Sequence, residues 1–374
     1  MFEAPTPLLS DERIAALRAE NRANLTRCFN ERVSDVPFMP VHLMIEPTNT
    51  CNAKCPLCPT GAGELNRAKA FLDEGLYRSF LDQAYPYAET MNLWNFGEPF
   101  LHPGAFDFIR YAQERKVKVT VSTNGYVFYK EENVERLIDS GLHYLVVALD
   151  GATEEVFNQY RVNVKFQKVL RGLKLLQEAK KRRGSSHPIV DIQFIVMKHN
   201  QHELEAVKAI AEEHGALFSA KTVDLGMLDQ LPEHVDAPDE LALRRYERSQ
   251  QREQLTLRRE RQNHCYFLWN MLVLNAGGEI VPCCYDIKSE LVLGKLTEQP
   301  LREIWNGERT QALRRRILTD RMSIKACSIC SMDAFDILFV ERPDTEAMKA
   351  NRALYAGSAE GELDAPKRAA GAAK

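Results

Sequence analysis

The stretch "VHLMIEPTNTCNAKCPLCP", residues 41–59, joins a short apolar segment to three cysteines. Its first half is typical of a buried strand, and Cys51, Cys55 and Cys58 follow with three and then two residues between them. We therefore expect the cysteines on a loop at the carboxyl end of that strand, where α/β barrels carry their active sites. Three closely spaced thiols there indicate a metal centre with one coordination position left open.

Composition narrows the class of protein. The chain has 374 residues, 45% of them hydrophobic and 27% charged, and a formal net charge of −3, which argues against a nucleic-acid-binding surface. The N-terminus lacks the pattern of a secretory signal, and no apolar run approaches the roughly 18 residues of a membrane span. We expect a cytoplasmic protein with no nucleic-acid or membrane partner, and in that reducing compartment clustered cysteines bind metal more often than they form disulfides.

Strand-like and helix-like runs alternate between residues 40 and 215, which predicts a parallel sheet. Six or so such units predict an α/β fold, a partial (β/α)6 TIM-like barrel. The other segments are predicted from local pattern and composition. They are a helical lead-in over 1–39, a charged linker helix over 216–264, a small cysteine-bearing C-terminal α+β domain over 265–340 with a hairpin at Gly277–Gly278, and a disordered tail over 341–374.

The residues alone leave the nature of the first metal centre open. A zinc site with three cysteines and one histidine is possible, although no histidine lies in the loop. An iron–sulfur cluster fits better, because thiolates are its usual ligands and three of them leave one iron without a protein ligand.

A second group of cysteines lies in the C-terminal region: Cys265, Cys283, Cys327 and Cys330. Four thiolates can close a tetrahedral zinc site or fully ligate a [4Fe–4S] cluster, and the residues alone do not decide between the two. We treat Cys284 as a non-ligand, although the sequence leaves open that it replaces Cys283, and we expect Cys28 to pack as a small hydrophobic residue.

The cysteine triplet after the first barrel strand resembles the radical S-adenosylmethionine (radical SAM) superfamily. The resemblance implies that the triplet holds a [4Fe–4S] cluster whose open iron binds the amino and carboxylate groups of SAM. It also implies reductive cleavage of SAM to a 5′-deoxyadenosyl radical, which abstracts a hydrogen atom from substrate. A flavodoxin or ferredoxin-like protein is the reductant that the resemblance implies.

Motifs at the ends of the following strands carry the same resemblance. "WNFGEP", residues 94–99, resembles the family's Gly-Gly-Glu-Pro motif, with Phe96 in place of its first glycine. In "VSTNG" and "ALDG" Ser122, Asn124 and Asp150 match positions near SAM, while Asn200 and Glu203 match a further pattern that helix capping explains equally well. The SAM-binding residues that the resemblance implies are Gly97, Glu98, Pro99, Ser122, Asn124, Asp150 and Arg161.

The C-terminal region resembles the SPASM/twitch extension of this superfamily. The resemblance implies one auxiliary [4Fe–4S] cluster, held by Cys265, Cys283, Cys327 and Cys330. Spacing and architecture are most similar to radical SAM dehydrogenases of aminoglycoside biosynthesis. The family likeness therefore implies an oxidoreductase that passes one electron to the auxiliary cluster and oxidises a hydroxyl-bearing small molecule.

Three alternatives remain at this point. A peptide-modifying radical SAM maturase would act on a peptide substrate, but such enzymes often carry a leader-binding segment before the core, and residues 1–39 do not resemble one. A non-catalytic iron–sulfur electron carrier would hold clusters without binding SAM. A zinc-stabilised binding module would hold neither. The sequence does not identify a catalytic side chain, such as the group that accepts the substrate proton.

Overall fold

Six neighbouring parallel strands form the centre of the fold, which confirms the predicted α/β class. The computed structural model describes residues 8–222, 224, 246–248, 255–257, 262–328, 330 and 337–341. All four residues of the first strand are buried, as expected for the interior of a parallel sheet. The strands are β1 (His42–Ile45), β2 (Thr90–Asn92), β3 (Lys118–Thr123), β4 (Tyr144–Ala148), β5 (Ile189–Val196) and β6 (Leu217–Thr222).

Helices connect these strands and cover one face of the sheet. Several begin at a side-chain cap: Ser10, Asp73 and Thr153 each accept a hydrogen bond from a backbone N–H three residues further on. The helices up to β6 are α1 (Asp11–Asn30), α2 (Pro59–Ala62), α3 (Glu74–Ala84), α4 (Ala105–Glu114), α5 (Glu131–Asp139), α6 (Glu154–Tyr160), α7 (Phe166–Arg183) and α8 (Leu204–Glu213).

The sheet presents alternate side chains to two environments. Leu43 and Ile45 belong to the large apolar core, together with side chains of the helices. Met44, between them, belongs to a separate cluster with residues from the C-terminal region. His42 and Thr90, neighbours in register, lie on the same face as Met44 and are joined by a 2.7 Å contact between Nδ1 and Oγ1. We call this second face the inner face.

The C-terminal region extends the same sheet. Strand β9 (Met271–Leu274) pairs in parallel with β1, and β10 (Glu279–Val281) and β11 (Gly294–Lys295) follow as antiparallel neighbours. The predicted hairpin is confirmed, with Gly278 at a φ of +89° in its turn. Beyond it lie α9 (Phe267–Asn270), α10 (Leu301–Asn306), α11 (Glu308–Asp320) and α12 (Lys325–Ser328). The second cysteine region is therefore joined to the barrel by backbone hydrogen bonds.

The linker helix predicted over 216–264 is wrong wherever that segment is described. Its first residues form β6, the sixth parallel strand, whose alternation is weakened by Ser219 and Lys221. Further on, β7 (Tyr246–Arg248) and β8 (Leu255–Leu257) pair as an antiparallel hairpin. The charged composition suggested a solvated helix, but strand formation depends on cross-strand and packing partners, which composition does not reveal.

The C-terminal boundary also needs correction. The last described strand, β12 (Ile337–Glu341), pairs antiparallel with β6, at the sheet edge opposite to β9, β10 and β11. The segment predicted as one C-terminal domain over 265–340 thus contributes strands to both edges of the sheet. The tail predicted over 341–374 lies outside the described residues apart from Glu341.

The N-terminal helix and Cys28 agree with the sequence predictions. Helix α1 has its N-cap at Ser10, and Cys28 is completely buried in the apolar core. All nine cysteines lie among the described residues, and none of them forms a disulfide. Within the described ranges, no helix is both long enough and apolar enough to cross a bilayer.

Candidate iron–sulfur and SAM site

The loop after β1 is held in place by the segment that follows α2. The Thr48 hydroxyl donates to the carbonyl oxygen of Ala70 over 2.7 Å. The Asn49 side chain donates to Ala68 O and accepts from Ala70 N, at 2.7 and 2.9 Å. A Cβ on Gly61 would lie 2.3 Å from Cys55 O, so only glycine lets α2 pack this closely against the cysteine loop.

The three thiols of this loop are close enough to affect one another's charge, and they lie near a few polar groups. Ala53 N–H donates to Cys51 Sγ over 3.3 Å, and Arg161 Nη1 lies 3.7 Å from Cys55 Sγ. Burial raises the pKa of the Cys51 thiol to about 12, with smaller upward contributions from the Glu98 carboxylate and the other two thiols, which the hydrogen bond from Ala53 opposes. A bound metal centre supplies the positive charge that thiolates need in such a setting.

Gly97, Glu98 and Pro99 lie beside this loop, in the turn after β2. Glu98 N–H donates to Thr50 O over 2.8 Å. The Glu98 carboxylate is only 2% exposed and accepts from the Thr123 hydroxyl and from Asn124 N–H, at 2.7 and 2.8 Å. Burial raises the pKa of this carboxyl, and the hydrogen bonds from Asn124 and Thr123 oppose the rise. Glu98 thus ties the end of β3 to the cysteine loop.

Gly97 is required for the packing of the loop itself. Its φ is +87°, and a Cβ there would lie 2.3 Å from Thr48 O and 2.7 Å from Thr50 O. The sequence suggested that this glycine lets backbone approach a ligand, whereas the contacts identify the cysteine loop as its nearest neighbour.

We expect Gly97→Ala to destabilise the protein by about 1–3 kcal/mol or more, because it adds both φ strain and a backbone clash. Gly63→Ala is the matched control, since Gly63 has a φ of +78° but nothing within 4 Å of the added Cβ. Thermal unfolding of the metal-free proteins measures the difference. Equal melting temperatures for the two variants would contradict the clash.

Ser122 and Asn124 lie at the end of β3. Ser122 is half-buried and lies in register with Val146 of β4. Asn124 is 6% exposed; its Oδ1 accepts from Tyr126 N–H, and its Nδ2 donates to Asn52 Oδ1 over 2.9 Å and lies 4.0 Å from Cys51 Sγ. The amide of Asn124 is therefore in contact with the cysteine loop.

Asp150 and Arg161 form a buried ion pair below Cys55. Arg161 Nε donates to Asp150 Oδ2, while Asp150 Oδ1 accepts from Ile195 N–H over 2.6 Å. Burial alone would lower the pKa of the Arg161 guanidinium, but Asp150 and the Cys55 thiol raise it above its ordinary value. Arg161 thus stays a cation beside the thiols, oriented by Asp150.

Asn200 and Glu203 hold the Asp150 loop instead of capping their own helix. Asn200 Nδ2 donates to Asp150 O over 3.0 Å, and Glu203 accepts from the N–H groups of Ala152 and Thr153. The hydrogen bonds from Thr153 and Ala152 lower the pKa of the Glu203 carboxyl against the effect of burial. Both residues are therefore supports for the loop that carries Asp150.

The second cysteine group also comes together. Cys283 and Cys284 pack against the inner-face cluster of Met44, Met271, Val273 and Val281. Burial and four nearby thiols raise the pKa of the Cys283 thiol well above its usual value; these thiols belong to Cys284, Cys330, Cys265 and Cys327. Burial raises the pKa of the Cys284 thiol to about 12, and Asp224 and Cys265 contribute to the rise.

Two residues near the first thiols were missed by the sequence analysis. The Nδ2 atom of Asn52 and the Oγ1 atom of Thr60 are buried and have no hydrogen-bond partner among the described residues. Both sit within the cysteine segment, so their signal was a polar side chain between or just after ligand positions. Unpaired buried polar atoms are costly, and here they fit a polar ligand such as SAM bound beside the thiols.

Two family models match the chain. The model described as the radical SAM superfamily covers residues 45–210, and SPASM, an iron–sulfur cluster-binding domain, covers residues 265–331. The first range contains the cysteine triplet, and the second contains all four thiols of the C-terminal group. A radical SAM domain binds a [4Fe–4S] cluster and SAM, and a SPASM domain binds additional iron–sulfur clusters.

Curated relatives are similar over most of the chain. The AdoMet-dependent heme synthase of Methanosarcina barkeri is 25% identical over 324 residues, which are 76% of this chain and 86% of the relative. The subtilosin biosynthesis protein AlbA of Bacillus subtilis is 26% identical over 299 residues, which are 77% of this chain and 64% of the relative.

Solved structures share the fold. Streptococcus suis SuiB bound to the precursor peptide SuiA aligns with a TM-score of 0.57 at 18% identity, over 83% of this chain and 75% of that chain. At this identity the likeness concerns the fold alone.

Proposed function

The chain is a radical SAM protein with a C-terminal SPASM domain, and from that premise we propose that it oxidises a hydroxyl-bearing small molecule by two electrons. The cluster and SAM, when bound, supply radical chemistry that removes a hydrogen atom from substrate. An alcohol that has lost one hydrogen atom must still lose one proton and one electron to become a ketone. The proposal therefore requires an electron acceptor within the same protein.

The observation that carries the proposal is the placement of Cys283 and its neighbour Cys284 against the inner face. Strand β9 lies beside β1, and Met271 and Val273 are in register with His42 and Met44. These apolar side chains pack directly against Cys283 and Cys284. An auxiliary [4Fe–4S] cluster held by Cys265, Cys283, Cys327 and Cys330 would thus reach the inner face through Cys283. It would lie there beside β1, the strand that leads to the first three thiols.

The barrel residues have distinct roles in this proposal. Cys51, Cys55 and Cys58 hold the first cluster. Asn124, with Asn52 and Thr60, offers polar atoms to SAM, and Ser122 offers a hydroxyl from the neighbouring position. Arg161, kept charged and oriented by Asp150, faces the SAM carboxylate. Gly97, Glu98 and Pro99 shape the turn that closes over the cysteine loop.

An external reductant must supply the electron that starts each turnover, and a flavodoxin or ferredoxin-like protein is the partner we propose. The competing candidate is modification of a peptide, which the similarity to the subtilosin biosynthesis protein favours. The relative named as a heme synthase adds tetrapyrroles to the small molecules worth testing.

The experiment that tests the substrate class uses the anaerobically reconstituted, dithionite-reduced protein and a crude metabolite extract. We expect the extract to stimulate production of 5′-deoxyadenosine, and the stimulation to survive prior digestion of the extract with protease. Mass spectrometry should then find a product lighter than its precursor by two hydrogens. Asn124→Ala, which removes an amide beside the thiols, is the control with weakened SAM binding. Protease-sensitive stimulation would favour the peptide substrate instead.

A further inference from the structure

A buried ion pair outside the sites described above connects the two cysteine regions. Glu46, the first residue after β1, is completely buried, and Arg67 pairs with it in a bidentate fashion, at 2.8 Å to Oε2 and 2.7 Å to Oε1. Such a pair offsets its desolvation only when further hydrogen bonds satisfy the remaining lone pairs. In this protein those hydrogen bonds come from two distant parts of the chain.

Each oxygen of Glu46 accepts one backbone N–H in addition to Arg67. Oε1 accepts from Phe96 N–H, in the turn that carries Gly97, over 3.1 Å. Oε2 accepts from Ala276 N–H, in the hairpin of the C-terminal region, also over 3.1 Å. The Glu46 carboxylate therefore connects the Phe96–Pro99 turn to the hairpin between β9 and β10. We call these two segments the SAM-binding turn and the auxiliary hairpin.

Side-chain contacts also join the SAM-binding turn to the C-terminal region. Phe96 is 7% exposed and packs with Leu65 and Ile287, of which Ile287 belongs to the C-terminal region. Asn95 Nδ2 donates to Asn275 Oδ1 over 3.4 Å, directly beside the Ala276 contact. Phe96 is also the position at which the chain departs from the family's glycine. Its larger side chain packs where the SAM-binding turn meets the C-terminal region, and we call this contact the junction.

We propose that Glu46 is a positioning residue for SAM binding, acting from outside the site by holding the Phe96–Pro99 turn against the auxiliary hairpin. The auxiliary hairpin is then a structural part of the SAM site as well as the carrier of the second thiol group. This inference rests on the proposed function only for the identity of the ligand, SAM.

Glu46→Gln is the sharpest variant, because it replaces one oxygen by an NH2 group without changing the shape. In either orientation that NH2 faces one of the two backbone N–H groups and one N–H of Arg67, so one of the two connections and half of the bidentate pair are lost. We expect SAM to bind about tenfold more weakly, the equivalent of one lost buried hydrogen bond. Calorimetric titration of the reconstituted protein with SAM measures this.

Hydrogen exchange gives a readout that is independent of turnover. In Glu46→Gln, amide exchange should accelerate in the peptide whose N–H group loses its acceptor, either the one that contains Phe96 or the one that contains Ala276. The matched control is Asp82→Asn, which breaks a second ion pair, to Arg115, between α3 and α4. This control should lower the melting temperature but leave SAM affinity within twofold of wild type. A substitution that shares no partner with the Phe96 turn or the Ala276 hairpin should act independently of them.

The outcomes separate the junction from the function. If Glu46→Gln binds SAM within twofold of the wild-type affinity, or if Asp82→Asn loses as much SAM affinity as Glu46→Gln, the junction proposal is overturned. Neither result would affect the proposed function, because the wild-type protein would still bind SAM. A wild-type protein that binds no SAM would instead overturn the function. If Glu46→Gln does not fold, Phe96→Leu, which keeps an apolar side chain but trims the contact with Ile287, should still weaken SAM binding about threefold; unchanged affinity there would refute the proposal.

Discussion

Changing Cys51, Cys55 and Cys58 together to alanine should halve the iron content and abolish SAM cleavage. Two [4Fe–4S] clusters give about eight irons per chain, and the triple variant should keep about four. Only the first cluster should lose its thiolates, because we propose that the second is held by cysteines of the C-terminal group. Iron analysis after anaerobic reconstitution, together with chromatography of 5′-deoxyadenosine, measures both effects.

Cys28→Ala is the matched control for this experiment. Cys28 is as buried as a ligand thiol but packs among apolar side chains, so it should keep all of the iron and all of the SAM cleavage. A triple variant that retains about eight irons would show that the first three thiols hold no cluster. Abundant zinc in the wild-type protein would contradict the assignment of both sites.

Changing Cys327 and Cys330 to alanine should separate SAM cleavage from substrate oxidation. The auxiliary cluster loses two of its four thiolates, whereas the first cluster keeps all three of its own. We therefore expect 5′-deoxyadenosine to form in the presence of the stimulating metabolite, while the oxidised product falls by at least about 100-fold because the second electron has no acceptor. Mass spectrometry of the product and chromatography of 5′-deoxyadenosine measure the ratio.

The fold supplies a reason to expect this double variant to stay folded. The C-terminal hairpin is joined to β1 by strand pairing and to the barrel through Glu46, so its position does not depend on the thiols alone. Cys284→Ala is the matched control and should keep both clusters and full oxidation. If oxidation continues at the wild-type rate in the double variant, the second cluster is structural. Circular dichroism and retained SAM cleavage must be checked on the same sample.

The local sequence pattern was sufficient to predict most of the strands and helices of the barrel. Apolar runs such as "VHLMIEP" and "YLVVALD" gave strands β1 and β4, and the Ser10 cap gave the start of α1. The sequence missed β6 because Ser219 and Lys221 interrupt its apolar pattern. It also missed the strands β7 and β8, because the charged segment that contains them lacks the sustained alternating apolar pattern of a strand.

The sequence by itself determined the chemistry-bearing residues: three thiols after β1, four in the C-terminal region, and polar residues at successive strand ends. Spacing and strand-end position are local properties, so they can be read before the chain is folded. Tertiary structure alone decided that β9 lies beside β1, that the carboxylate of Glu98 is engaged by Thr123 and Asn124, and that Glu46 joins Phe96 to Ala276. These contacts span up to 230 residues, and only the folded sheet brings such partners within hydrogen-bonding distance.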